Sequence, residues 1–296
     1  MSTPDLDDIL STLLSIAIDA GQMITAATPS TVSSGTKKNT ADLVTETDRA
    51  VEAHVSTTLK SKYPNYSFLG EETYQPGMQL GAEPTFIVDP IDGTTNFVHR
   101  YPYVSISLGF AVDKKPVVGV VFNPFTGKLY SAVDGRGSYV ENVNVQQSQR
   151  VRLPLREPEP MTSLSGLLVA VEWGSDRSGS NWQCKVNTWS RLGRSKDEGG
   201  AMVHSARCLG SAALNMCAVA EGTIDLYWEG GCWAWDVCAG WVILKEAGGI
   251  IVDANPGQWE VPVDHRKYLA VKGGEGQNDI VEEFWSHVEG EMQYES

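Results

Sequence analysis

Three observations in the sequence predict a layered protein of mixed helix and sheet. Amphipathic helical patterns open the chain and return in its second half, and between them lie short apolar runs, some with strict period-two alternation. Several of these strand-like runs end on acidic residues, and so does the start of one helical pattern. In layered α/β proteins such ends can converge on one crevice.

In chain order, residues 5–25 read as a helix with Ile9, Leu13, Ile16, Ala17, Ala20 and Ile24 on one face, and Thr3-Pro4 offers its start. A polar loop from Pro29 to Ala41 carries Gly35 and the pair Lys37-Lys38. A second helix is expected from about Glu46 to Tyr63, with Val51, Val55 and Leu59 inward, stopping before Pro64. Ser67–Leu69 is a short strand that delivers Gly70-Glu71-Glu72, and residues 73–84 read as exposed loop. Thr85–Val88 is a buried strand leading into Asp89-Pro90-Ile91-Asp92-Gly93-Thr94-Thr95-Asn96. Pro90 fixes its own φ and biases Asp89 toward an extended conformation, which predicts a sharp turn as the strand ends. Gly93 leaves backbone room, and Thr94, Thr95 or Asn96 is expected to cap a helix. Acidic oxygens beside free N–H groups suit hard cations and a phosphate together.

Beyond this stretch, Val104–Phe110 alternates apolar residues with Ser and Gly, and Val117–Phe122 and Lys128–Val133 continue as strands. Turns are expected at 113–116, 123–127 and 134–137. The polar, proline-rich stretch from Gln146 to Pro160 marks the expected boundary between two halves of one compact unit, 1–146 and 147–296. The second half offers strand Leu167–Val171, a helix around Asn181–Leu192, helix Ser211–Glu221 and strand Ile224–Trp228. It continues with helix Asp236–Ala247, capped by Asp236 and closed by Gly248-Gly249. Strands at Ile250–Asp253 and Tyr268–Val271 and a helix from Asn278 to about Val288 complete it.

The 296 residues suffice for a sizeable core, and 42% hydrophobic with 20% charged residues is ordinary for a globular chain. A formal net charge of −14 argues against nucleic acid or an anionic membrane as the main partner. It would also repel a phosphate ester, unless bound divalent cations offset it. Five cysteines, an odd number without zinc-type spacing, suggest free thiols in a reducing compartment. The acidic first residues do not resemble a signal peptide, and no apolar run is expected to reach membrane-spanning length. A cytoplasmic protein is the expectation.

Glu71, Asp89, Asp92 and Asp236 stand at ends of predicted elements. Singly, each reads as a cap or a surface charge; jointly, they read as hard oxygen ligands, with Asp89 able to bridge two ions. The five histidines show no ligand spacing, and Cys217 and Cys238 read as core thiols. The tryptophans at 228, 233, 235 and 241 read as packing or interface.

These residues carry a resemblance. Asp89–Asn96 resembles the signature of the inositol monophosphatase family, within the lithium-sensitive, metal-dependent phosphatases. The likeness extends to Asp42–Asp48, Gly70-Glu71-Glu72, Asn96–Pro102, Gly210–Met216, Trp235-Asp236 and Glu246–Gly249, in unbroken order over about 5–290. It implies an α+β fold, a layered αβαβα sandwich of the sugar-phosphatase type, and a homodimer. Glu71, Asp89 and the carbonyl of Ile91 would hold one Mg²⁺. Asp89, Asp92 and Asp236 would hold a second, and a third would lie near Glu71. Thr94 and Asp48, together with Glu71, would prepare the attacking water. The N–H groups of Gly93 and Thr94 would bind phosphate oxygens, while Ala212 and Glu229 would meet the alcohol in a pocket shared with Asp92 and Asp236. Lys37 or Lys38 falls where the family places a lysine. The implied reaction is metal-assisted hydrolysis of a small polyol phosphate, foremost inositol monophosphate. Histidinol phosphate, a nucleotide 3′-phosphate or fructose bisphosphate are alternatives within the same chemistry, and a non-catalytic metal-binding regulator is an alternative outside it. The segment 174–200, near which the family places substrate-proximal or interface loops, and the run Gly230–Trp235, whose indoles would reshape the alcohol pocket, depart from the family pattern.

Overall fold

The computed structural model describes residues 3–28 and 45–295, with the backbone alone at 35–36 and 43–44. Lys37, Lys38 and Asp42 lie outside the described residues. The first helix, α1 (Leu6–Ala26), starts at Asp5, whose carboxylate accepts from the N–H groups of Asp7 and Asp8. Thr3-Pro4 is therefore not the start, because the carboxylate serves two orphan donors of the first turn. The short strands β1 (Gly35–Thr36) and β2 (Leu43–Val44) pair antiparallel. A capping box between Thr45 and Asp48 opens α2 (Glu46–Lys62).

A seven-stranded sheet follows from β3 (Ser67–Gly70), β4 (Thr85–Asp92), β5 (Ser105–Val112), β6 (Lys115–Asn123), β7 (Lys128–Val133), β8 (Ser138–Asn142) and β9 (Val151–Arg152). These lie side by side in chain order. Only β3 and β4 run parallel. The short helix α3 (Thr94–His99) lies between β4 and β5. The later chain supplies β10 (Leu168–Val171), α4 (Gly179–Gly193), β11 (Ser205–Arg207), α5 (Ala212–Glu221), β12 (Leu226–Gly230), α6 (Ala234–Glu246), β13 (Ile250–Val252), β14 (Lys267–Val271) and α7 (Gln277–His287). Its strands form a five-stranded sheet in the order β11-β10-β12-β14-β13. In it β10 runs parallel to β11 and β12, while β14 is antiparallel to its neighbours.

Three apolar clusters glue five layers. Helices α1 and α2 cover one face of the seven-stranded sheet through Ile9, Leu13, Val51, Val55, Phe86 and Phe110. Helices α5 and α6 fill the space between the two sheets. Helices α4 and α7 cover the far face of the second sheet through Leu192, Phe284 and Trp285. The expected αβαβα sandwich is borne out. Strand β9 carries the first sheet past the expected break at 146–147.

Four local expectations need correction. Strand β4 does not end at Val88; it runs to Asp92, with a register shift against β5 between Asp89 and Asp92. Pro90 offers no N–H to the ladder, and the chain answers with a bulge rather than a turn. Helix α3 has no side-chain cap: Gly93, at φ 93°, is its first flanking residue. Asp236 is not the cap of α6 but its third residue, accepting from Trp233 N at 2.7 Å. Helix α1 is, by length and composition, apolar enough to cross a membrane, contrary to the expectation that no run would be. Here its apolar face is buried on the sheet. Strands β8, β9 and β11 were not expected, being short or set in polar sequence.

Candidate active site

The ends of the parallel pairs β3/β4 and β10/β12 bring Glu71, Asp92, Glu172 and Glu229 to the first turns of α3, α5 and α6. A cleft of about 590 Å³ opens there. Crevices beyond the carboxyl ends of parallel strands are where layered folds gather function. Glu71, Asp89, Ile91, Asp92, Gly93, Thr94, Ala212, Glu229 and Asp236 all line it. Asp48 stands behind the wall, reached through Thr94.

The β4 bulge fixes the acids. Asp89 accepts from Ile91 N at 3.0 Å, and Asp92 turns toward α5. Asp92 is among the most strongly held groups in the molecule. It accepts from Ala212 N at 3.2 Å, Ala213 N at 2.9 Å and Ser105 Oγ at 3.3 Å, and also from Ser211 Oγ. The donors of the first turn of α5 thus hold a carboxylate of the first sheet. Gly93 follows in the left-handed region, and an added Cβ would lie 3.0 Å from both Gly210 O and Tyr103 O. Only glycine fits there. The first bond inside α3 runs from Phe97 N to Gly93 O, so the earlier N–H groups of the helix have no partner within it.

The Thr94 hydroxyl lies 3.2 Å from Asp48 Oδ1 and 3.1 Å from Ile91 O. Its hydrogen is committed to one of these acceptors, so its lone pairs face the cleft. Asp48 Oδ2 accepts from Thr45 N at 3.0 Å and from the Thr45 hydroxyl, so one buried carboxylate both caps α2 and orients Thr94.

The electrostatics of these acids favour a cation. Burial, then the carboxylates of Glu71, Asp92 and Asp236, raise Asp89 well above the carboxylate range; Asp89 also shares a hydrogen bond with Glu71. Burial, then Glu71 and Asp92, does the same to Asp236. Burial lifts Asp92 to about 6 despite its four donors. Buried like charges of this kind are relieved by protons or by cations. The donors are all carboxylate or carbonyl oxygens, the type that hard divalent ions prefer. Among the described residues no three His, Cys, Asp or Glu side chains already stand at coordinating spacing. The set therefore fits a cation by chemistry and placement, with side-chain adjustment.

The alcohol side is built by residues that sequence reasoning missed. Glu172 follows β10 and accepts from Leu209 N at 2.7 Å, Gly210 N at 3.0 Å and Asn215 Nδ2 at 2.9 Å, fixing the loop before α5. Asn96 Nδ2 grips that loop from α3, donating to Leu209 O at 2.7 Å and Tyr103 O at 2.8 Å. Trp173, Gly174, Arg177, Cys208 and Cys232 complete this wall. The signal that marked Glu71, an acid closing an apolar run, was also present at Glu172. Burial, then Glu172, lifts Glu229 to about 7, against an opposing pull from Lys185. No histidine lines the cleft among the described residues. Cys217 and Cys238 are buried core thiols, and Trp233 stacks on Trp235 beside Tyr74.

Fold and cleft together define a class: a layered α+β hydrolase whose acidic, all-oxygen site suits phosphate esters met through cations. The model of the inositol monophosphatase family matches residues 5–289. Inositol monophosphatase 2 of Saccharomyces cerevisiae is 49% identical over 87% of this chain and 86% of its own. Human inositol monophosphatase 1 is 37% identical over 84% of each chain. The solved inositol monophosphatase of Anabaena superposes with a TM-score of 0.72 at 26% identity, over 97% of this chain and 98% of its own. The chain belongs to the inositol monophosphatase family, whose members are metal-dependent phosphoric monoester hydrolases.

Proposed function

We propose that this chain hydrolyses inositol monophosphate to inositol and phosphate with Mg²⁺ in the cleft. The observation that carries this reading is the convergence of Glu71, Asp89, Ile91 O, Asp92 and Asp236 beside the open start of α3. Mg²⁺ held by these oxygens would lower the pKa of a water and offset charge on phosphate and leaving alkoxide. Thr94 would accept a hydrogen bond from the attacking water, since its own hydrogen rests on Asp48 or Ile91 O. The N–H groups of Gly93 and Thr94 hold phosphate oxygens, and Glu229 accepts from a ring hydroxyl beside Ala212. Two or three ions per site, sensitivity to lithium and a homodimer belong to this reading on family grounds. A reducing, cytoplasmic setting agrees with five free thiols.

A bisphosphate substrate is disfavoured because Arg177 is the only cationic side chain on the cleft wall among the described residues. The test is phosphate release from inositol monophosphates, histidinol phosphate, nucleotide 3′-phosphates and fructose bisphosphate, with and without Mg²⁺. Inositol monophosphate is expected to give the highest kcat/KM, and chelation to abolish it. Release that survives chelation would sink the metal mechanism, and a different preferred ester would sink the substrate.

A further inference from the structure

Lys185 plays no part in the chemistry above, yet among the described residues it is the one buried lysine, 1% exposed. It sits on α4, in the segment where the sequence leaves the family pattern. Its ammonium donates to Gly230 O at 2.6 Å and to Trp173 O at 3.1 Å. Gly230 directly follows Glu229 at the end of β12, and Trp173 opens the loop that walls the alcohol side. A Cβ placed on Gly174 would lie 2.8 Å from Lys185 Nζ and 3.8 Å from Glu229 Oε1, so ammonium and carboxylate flank one point. The chain end closes the cluster from outside. The Tyr294 ring lies 5.5 Å from the ammonium, and its hydroxyl donates to Asp176 Oδ2 at 2.6 Å. An ammonium shut away from water is costly, and an apolar side chain of similar size would serve packing better. Its presence here asks for a role that an apolar chain could not fill.

We propose that Lys185 is a positioning residue for the polyol end of the substrate. It clamps the 173–176 wall to the end of β12 and holds the Glu229 carboxylate facing the cleft as acceptor for a ring hydroxyl. Burial lowers the ammonium pKa, while Glu229 is the foremost influence opposing that shift, so each group supports the charge of the other. This inference rests on the proposed substrate class, and the phosphate end of the cleft lies outside the clamp.

The test compares inositol monophosphate with p-nitrophenyl phosphate, which has no ring hydroxyl, in the full chain carrying Lys185→Met. KM for inositol monophosphate is expected to rise about tenfold, the scale of one lost charged hydrogen bond, while kcat/KM for p-nitrophenyl phosphate moves less than about twofold. Glu229→Gln should raise the same KM, and the double variant should raise it no further. Equal losses on both esters, or additive effects of the two substitutions, would overturn the proposal. If Lys185→Met does not fold, Lys185→Gln, which keeps a donor and drops the charge, carries the same comparison, and an unchanged ratio of the two KM values in it overturns the clamp. Wild-type protein inactive on inositol monophosphate but active on p-nitrophenyl phosphate would instead reject the substrate reading. The comparison then passes to whichever polyol phosphate it does hydrolyse.

Discussion

At the scale of single residues, Asp92 shows how the site depends on distant partners. Its carboxylate takes donors from Ser211, 119 residues away, and from the first turn of α5. Asp92→Asn would turn an amide N–H₂ toward donors that now meet an oxygen. We expect turnover to fall at least ~10²-fold, with a stability loss of about 1–3 kcal/mol from the mispaired donors. Steady-state assays beside urea unfolding check both, and a folded variant at the wild-type rate would remove Asp92 from the proposed ligand set. The acids at 71, 89, 92 and 236 were legible in the sequence because each ends or begins a strongly patterned run. The donors that hold Asp92 were not, since hydrogen bonds across 119 residues leave no local pattern.

At the scale of elements, α6 is apolar almost all round because it lies between two sheets, with Val237, Cys238, Trp241, Val242 and Leu244 all buried. Its backbone comes so close to β6 that a Cβ on Gly119 would overlap the carbonyl of Ala239. A backbone carbonyl inside a helix cannot step aside. Gly119→Ala is therefore expected to destabilise by about 1–3 kcal/mol through overpacking. An unchanged urea midpoint would show that the two layers can separate at little cost. Long periodic elements such as α1, α2 and β5–β7 were readable from pattern. Strands β8, β9 and β11, short and set in polar sequence, were not, because neighbouring strands rather than their own sequence make them strands; β10 and β13 are as short but apolar, and were readable. The bulge in β4 escaped for a related reason: Pro90 announces an interruption, and only the partner strand decides between bulge and turn.

At the scale of the whole molecule, the buried carboxylates make stability depend on pH with a definite sign. Asp92 is raised to about 6, and Asp89 and Asp236 are raised further above their usual value near 4. For acids shifted upward, the folded state holds its protons more tightly than the unfolded chain. Their stabilising effect is complete below about pH 4 and is lost as pH rises through 6 and beyond. Metal-free protein should thus lose stability, read as a falling Tm, between pH 5 and 7.5, with Asp92 alone contributing on the order of 1 kcal/mol. Added Mg²⁺ should restore more at pH 7.5 than at pH 5. A thermal scan series with and without chelator reads this, and a Tm that climbs with pH in the metal-free protein would contradict it. By itself the sequence determined the layered class, the long elements, the family and the acids of the cleft, because periodicity and strand-end motifs are properties of neighbouring residues. Tertiary structure alone decided which helix start holds Asp92, how β4 bends, and that Lys185 stands behind Glu229. Those are contacts between elements far apart in the chain, and only the packing of five layers brings them within hydrogen-bond reach.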